Sequence, residues 1–275
     1  MIAHLLILWA VIASAVALAV LVSRRRNEDE EPPDYRVVLG FVGPAYGLLL
    51  GLLVVFAVGH FSDARHKAED EATSLTALYD AVTVFPRETR DRVQHDLICY
   101  MRSIVADDWP SMERGNTTEA PRTLVFGDRV RSDIRSLPLG NARESSAFGR
   151  AIGLMTDATN ARQQMLFFTQ PAIPTPLWVV IYVCVFIIVF LIAVHYTDHP
   201  GGRAPALAIM SVLLTVVVAV LTSLDRPFDV GARVQPNAMR QAIALLSVDR
   251  GGDEAAPGPD RGNAILRPCS ARPQG

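Results

Sequence analysis

Apolar and polar positions fall along this chain in long blocks. Uncharged apolar runs extend from about Leu5 to Val22, Val37 to His60, Leu177 to Val194 and Ala204 to Leu224, with titratable His60 at the very end of the second. Each is close to the roughly 20 residues that a helix rising 1.5 Å per residue needs to cross ~30 Å of hydrocarbon. Backbone N–H and C=O groups in lipid must be satisfied within the segment, and a barrel would show short alternating strands instead. The pattern therefore predicts an all-α integral membrane protein with four transmembrane helices. The first run is read as a retained helix, because Arg24, Arg25 and Arg26 follow it, whereas a cleaved signal carries its positive charge before the apolar stretch.

Between the second and third runs the pattern changes to helix-period stripes on a polar background. Ala64, Ala68, Glu71, Leu75, Leu78 and Val82 fall three or four apart and continue the second run. A helix starting at Pro86 would align Val93, Leu97, Tyr100 and Ile104, and Asp107, Asp108, Trp109 and Pro110 would break it. Further helical patterns cover about Thr118 to Ser136 and Ala142 to Phe168. With 14 basic and 16 acidic residues, this segment is near neutrality. The predicted organisation is transmembrane helices 1 and 2 over residues 1–60 and a helical soluble bundle over 61–174. Transmembrane helices 3 and 4 occupy 175–225, a post-membrane segment 226–247, and a Gly- and Pro-rich disordered tail 248–275. An even number of crossings places 61–174 and both termini on one side. Basic residues near the span ends number five on one side (Arg24, Arg25, Arg26, Arg36, Arg203) and six on the other (Arg65, Lys67, Arg162, Arg226, Arg233, Arg240), so charge leaves the sidedness open.

Composition narrows function mainly by exclusion. A net charge of -2 gives no cationic excess to neutralise phosphates, so nucleic acid is not an expected partner, and a mean hydropathy of +0.25 points to the lipid bilayer. Cys99, Cys184 and Cys269 lack any paired spacing and read as reduced structural thiols. No cofactor, metal site or enzyme activity is expected, since no Walker loop, HExxH, nucleophile elbow or Rossmann fingerprint is present. His195 and His199 have an i, i+4 spacing, but Pro200, Gly201 and Gly202 follow, where helical geometry should fail.

Gly43, Gly47 and Gly51 share one face of the second helix, a surface for close helix packing or pore lining. On that basis Gly47→Leu should disturb the protein more than Ala57→Leu. Val54, Val55 and Phe56 follow, and if this helix lined an oligomer's axis their side chains would form an apolar constriction; otherwise they face lipid. Asp225 and Arg226 lie at a membrane boundary that Pro227 ends. Asp107 and Asp108 could hold a cation, or could belong to a turn that Trp109 anchors.

The stretches EATSLTALYDAVTVFP at 71–86 and CYMRSIVADDWPSMERG at 99–115, the Pro174 to Trp178 entry, and LDRPF at 224–228 followed by Val234 and Pro236 together resemble the bacterial bestrophin-like family of four-span membrane proteins. The resemblance spans roughly residues 37 to 240 and is carried most specifically by Asp108, Trp109, Asp225, Arg226, Pro227 and Phe228. Asp108 stands where the family would lead one to expect glutamate, and Arg162 alone represents a commonly more basic helix. The resemblance implies a multi-pass protein of the cell membrane, a homo-oligomer that conducts anions with the second helix as pore lining. The alternative is a non-conducting membrane scaffold whose helical domain binds a protein partner.

Overall fold

A computed structural model describes residues 2–25, 36–195, 200–228, 233–249 and Cys269. The elements are α1 (Ile2–Arg24), α2 (Arg36–Ala81), a 3-10 turn (Val82–Val84), α3 (Arg87–Ser103), a π-turn (Ile104–Asp108), α4 (Trp109–Glu113), α5 (Pro121–Arg135), α6 (Ala142–Phe167), α7 (Thr175–His195), α8 (Pro200–Leu224) and α9 (Asn237–Asp249). Among the described residues four helices are long and apolar enough to cross a membrane, and they contain the four runs anticipated above. The chain divides into two compact units, one of residues 1–61 and 171–226 and the other of 62–170 and 227–275.

In the first unit, α1, the apolar part of α2, α7 and α8 share one core. Leu8, Ile12, Ala15 and Ala19 form the buried stripe of α1; Tyr46, Leu50, Leu53 and Ala57 form that of α2. Both have the three- or four-residue spacing that keeps side chains on one helix face. Helix α1 runs parallel to α7, with the His4 ring 4.3 Å from that of Trp178 at one end and Ala19 clustered with Ala193 at the other. That direction is what the single crossing between them, α2, requires, and fully buried alanines let the backbones come close.

In the second unit α3, α5 and α6 pack with the charged part of α2. Gly127 permits the approach of α5 to α3, since a Cβ there would lie 3.2 Å from Tyr100 Cε2. Asn141 caps α6 by accepting the Glu144 N–H at 2.9 Å, while Glu144 accepts from the Gly140 N–H at 2.7 Å. Around Asp107 and Asp108 the chain departs from the expected break: it stays helical through the π-turn and into α4. Pro110 sits in the first turn of α4, immediately after the π-turn. The helix ends instead at Gly115, whose φ of 80° is open to glycine, with the Asn116 N–H donating to Ser111 O at 3.1 Å and the Gly115 N–H to Met112 O at 2.8 Å.

Two of the three thiols differ from the reading as reduced cysteines. Cys99 and Cys269 are joined by a disulfide, and Cys184 alone is free. The partners are 170 residues apart in sequence, so no local spacing could reveal the pair. The rest of the tail expected to be disordered, and His199 of the candidate metal pair, lie outside the described residues. Among the described residues no group of His, Cys, Asp or Glu is arranged to hold a metal.

Candidate functional site

The residues singled out from sequence separate into three local arrangements. The first is the face of α2 opposite its buried stripe. Phe41, Leu48, Leu52, Val55 and Phe56 on it are 54–78% exposed, and a Cβ built at Gly43, Gly47 or Gly51 would meet nothing within 4 Å. The glycines therefore do not pack against this chain. The apolar trio also divides, since Val54 packs against the core while Val55 and Phe56 point away from it. Ala57, on the stripe, is fully buried. Within one chain, added bulk at Ala57 would meet packed neighbours, whereas a Cβ at Gly47 would meet nothing within 4 Å.

The second arrangement is the entry to α7. Asp225 is buried, accepts the Ile173 N–H on Oδ1 at 2.7 Å, and offers its own carbonyl to the Ala172 N–H at 2.9 Å. Its carboxylate fixes the turn before α7, while adjacent Arg226 is exposed.

The third is a buried charge cluster in the second unit. Arg162 of α6 and Glu71 of α2 are both fully buried, with Nε 3.0 Å from Oε1; Arg162 Nη1 is also 3.5 Å from Asp108 Oδ2. Arg162 thus sets Nε against one carboxylate and Nη1 against the other. Asp108 accepts the Ala120 N–H at 2.7 Å on its other oxygen. Burial pushes the Asp108 carboxyl above its usual range, against the pull of Arg162 and of the Ala120 N–H; burial likewise raises Glu119. The π-turn aims Asp108 inward and lets the next residue, Trp109, serve a separate anchor. Trp109 Nε1–H donates to Val234 O at 3.1 Å, its ring meets Phe228 edge-on at 6.0 Å, and the Val234 N–H donates to Pro227 O at 2.8 Å. Asp107 is half-buried, with its Oδ2 enclosed and 3.9 Å from Arg122 Nε. These partners are the basis for reading the acidic pair as structural.

Glu71 and Arg162 are the members whose role the sequence reading missed. The signal was present, since Glu71 lies on an otherwise apolar stripe and a buried carboxylate requires a cation.

A Bestrophin-like domain model matches residues 4–239. The chain belongs to the bestrophin-like family. No curated protein matches it. Its fold is similar to a crystal structure of a point variant of a bacterial bestrophin homologue from Klebsiella pneumoniae, with a TM-score of 0.64 and 13% identity over 90% of this chain and 99% of that one. In this bestrophin-like chain, then, the two sequence motifs act as fasteners: Trp109 and Phe228 join α4 to the segment before α9, and Asp225 secures the entry to α7.

Proposed function

We propose that the protein is an oligomeric bestrophin-like anion channel of the cell membrane, with the outward face of α2 lining the axis and the 61–174 segment forming a helical domain outside the bilayer. The observation that carries this reading is the apolar face of α2, unmatched by any helix among the described residues and dotted with glycines that allow copies of the helix to approach. Family membership supports it, since the resemblance to bestrophins implies an oligomeric anion pathway. Rings of Val55 and Phe56 around an axis would resist wetting and so hold back hydrated ions.

Chloride and potassium flux into liposomes tests this. The expected result is chloride flux through the wild-type protein, raised in Val55→Ala or Phe56→Ala and unchanged in Val54→Ala, whose side chain faces the core. Flux no greater than in empty liposomes, from protein shown to be inserted and folded, would replace the channel by the scaffold reading.

A further inference from the structure

The disulfide lies in a setting suited to exchange. Cys99, in the middle of α3, is 1% exposed, whereas Cys269 is half-buried and is the sulfur that an incoming thiolate can reach. One turn before Cys99, the His95 ring Nε2 lies 3.6 Å from its Sγ. A small concavity beside the bond is lined by Arg102, Arg122 and Asp107, two cations to one carboxylate, and Arg122 Nη2–H donates to the Cys269 carbonyl at 3.2 Å. A thiol beside a histidine and guanidinium groups forms its thiolate readily, and a stabilised thiolate is the better leaving group in exchange. We propose that Cys99–Cys269 is a redox-active disulfide, opened by a dithiol that attacks Cys269 with Cys99 as the leaving thiolate.

The exchange is balanced without a metal or cofactor. One thiolate of the dithiol bonds to Cys269 Sγ, and the electron pair of the broken S–S bond passes to Cys99 Sγ beside His95. The second thiol of the dithiol, deprotonated, then displaces Cys269 from the mixed disulfide. The dithiol leaves as a disulfide, and the protein gains two electrons and two protons. A disulfide oxidant reverses the sequence. Opening cuts the covalent tie of Cys269 to α3, and its carbonyl is the acceptor for Arg122, the residue that also pairs with Asp107 on the π-turn. The bond thus ties Cys269 to α3 beside Arg122 of α5, next to the turn that delivers Asp108 to the buried cluster.

The test uses full-length protein in detergent, first equilibrated with oxidised glutathione. Denaturation in a maleimide-polymer should then add one label, at Cys184. After native treatment with dithiothreitol at neutral pH it should add three. With reduced glutathione, a monothiol, peptide mass mapping should find the adduct on Cys269 and Cys99 free. His95→Gln should slow native reduction on the order of threefold to tenfold, because the leaving thiolate loses its neighbour. Three labels after oxidation, reduction only in denaturant, or a glutathione adduct on Cys99 would each overturn the proposal. So would an unchanged rate in folded His95→Gln protein. The mass mapping needs no variant and decides the matter if that one does not fold.

Discussion

Helix α7 in the first unit and α6 in the second are both well packed, yet they meet opposite demands. Along α7, buried Ile181, Val185 and Val189 alternate with exposed Val179, Val180 and Val183, so its two sides are chemically alike. Along α6, buried Ala151, Met155, Ala158 and Met165 share a face with buried Arg162, while the other sides carry Arg150, Asp157 and Gln163. Between helices whose surroundings are as apolar as their core, water-driven burial gives no preference for one face, and fit between small and large side chains decides the packing. In α6 the polar sides already name the buried face, so the charge placed within it does something else. One arginine held against two carboxylates rejects arrangements of α2, α6 and the π-turn that leave any member alone. Whether such a cluster adds stability is a separate matter, since desolvation offsets much of the attraction.

The largest expected effect follows from that distinction. Arg162→Met leaves Glu71 and Asp108 buried without their cation, and breaking a buried pair on one side costs about 3–5 kcal/mol. Denaturation of the detergent-solubilised protein should show this loss. Arg162→Met combined with Glu71→Gln and Asp108→Asn should recover a large part of it, because no charge is then stranded. A single variant as stable as the wild type would mean that the cluster is hydrated and that the contrast with α7 is one of surface only.

A smaller effect separates the faces of α2. Ala57→Leu forces bulk into a packed core and should lower the stability of the chain by ~1–3 kcal/mol. Gly47→Leu should leave that stability close to the wild type, since nothing lies near its Cβ, and should act on oligomer size as measured by light scattering. Loss of chain stability from Gly47→Leu equal to that from Ala57→Leu would show that the glycine face is packed in the folded protein even without assembly.

The four crossings were legible because an uncharged apolar run of roughly 20 residues matches the thickness of a bilayer and exceeds what a helix in a small water-soluble core needs. The family motifs were legible as a combination. What each motif residue does was less so. Asp108 and Trp109 are neighbours in sequence but serve a buried ion cluster and a hydrophobic anchor, a division produced by the π-turn, which no residue spacing announced. The disulfide was hidden for a different reason, as its partners meet only through the folded course of 170 residues. For α2, periodicity alone placed the glycines together, but which face the chain itself covers depends on α1 and α7, and that face carries Ala57.

The smallest expected effect is a dependence on pH that belongs to the cluster. Asp108 and Glu119 are held above their ordinary values of 3.8 and 4.5, chiefly by burial. A carboxyl whose folded value is raised binds its proton more tightly when folded. Its contribution is therefore most favourable below the unfolded value, declines as pH rises towards the folded value, and is constant above it. Acidification from above the folded value towards the unfolded one should thus leave the second unit slightly more stable, where simple breaking of carboxylate ion pairs would make it less so. For Asp108 the slope cannot exceed ~1.4 kcal/mol for each pH unit between the two values. Urea denaturation at a series of pH values, with Trp109 fluorescence as the signal, should show this slope in the wild type and a shallower one in Asp108→Asn, which keeps an acceptor for the Ala120 N–H but cannot titrate. If the wild type is instead no steeper than Asp108→Asn above the unfolded value of 3.8 and loses stability as the pH falls through it, the attraction of Arg162 outweighs burial and Asp108 is ionised in the cluster down to that pH.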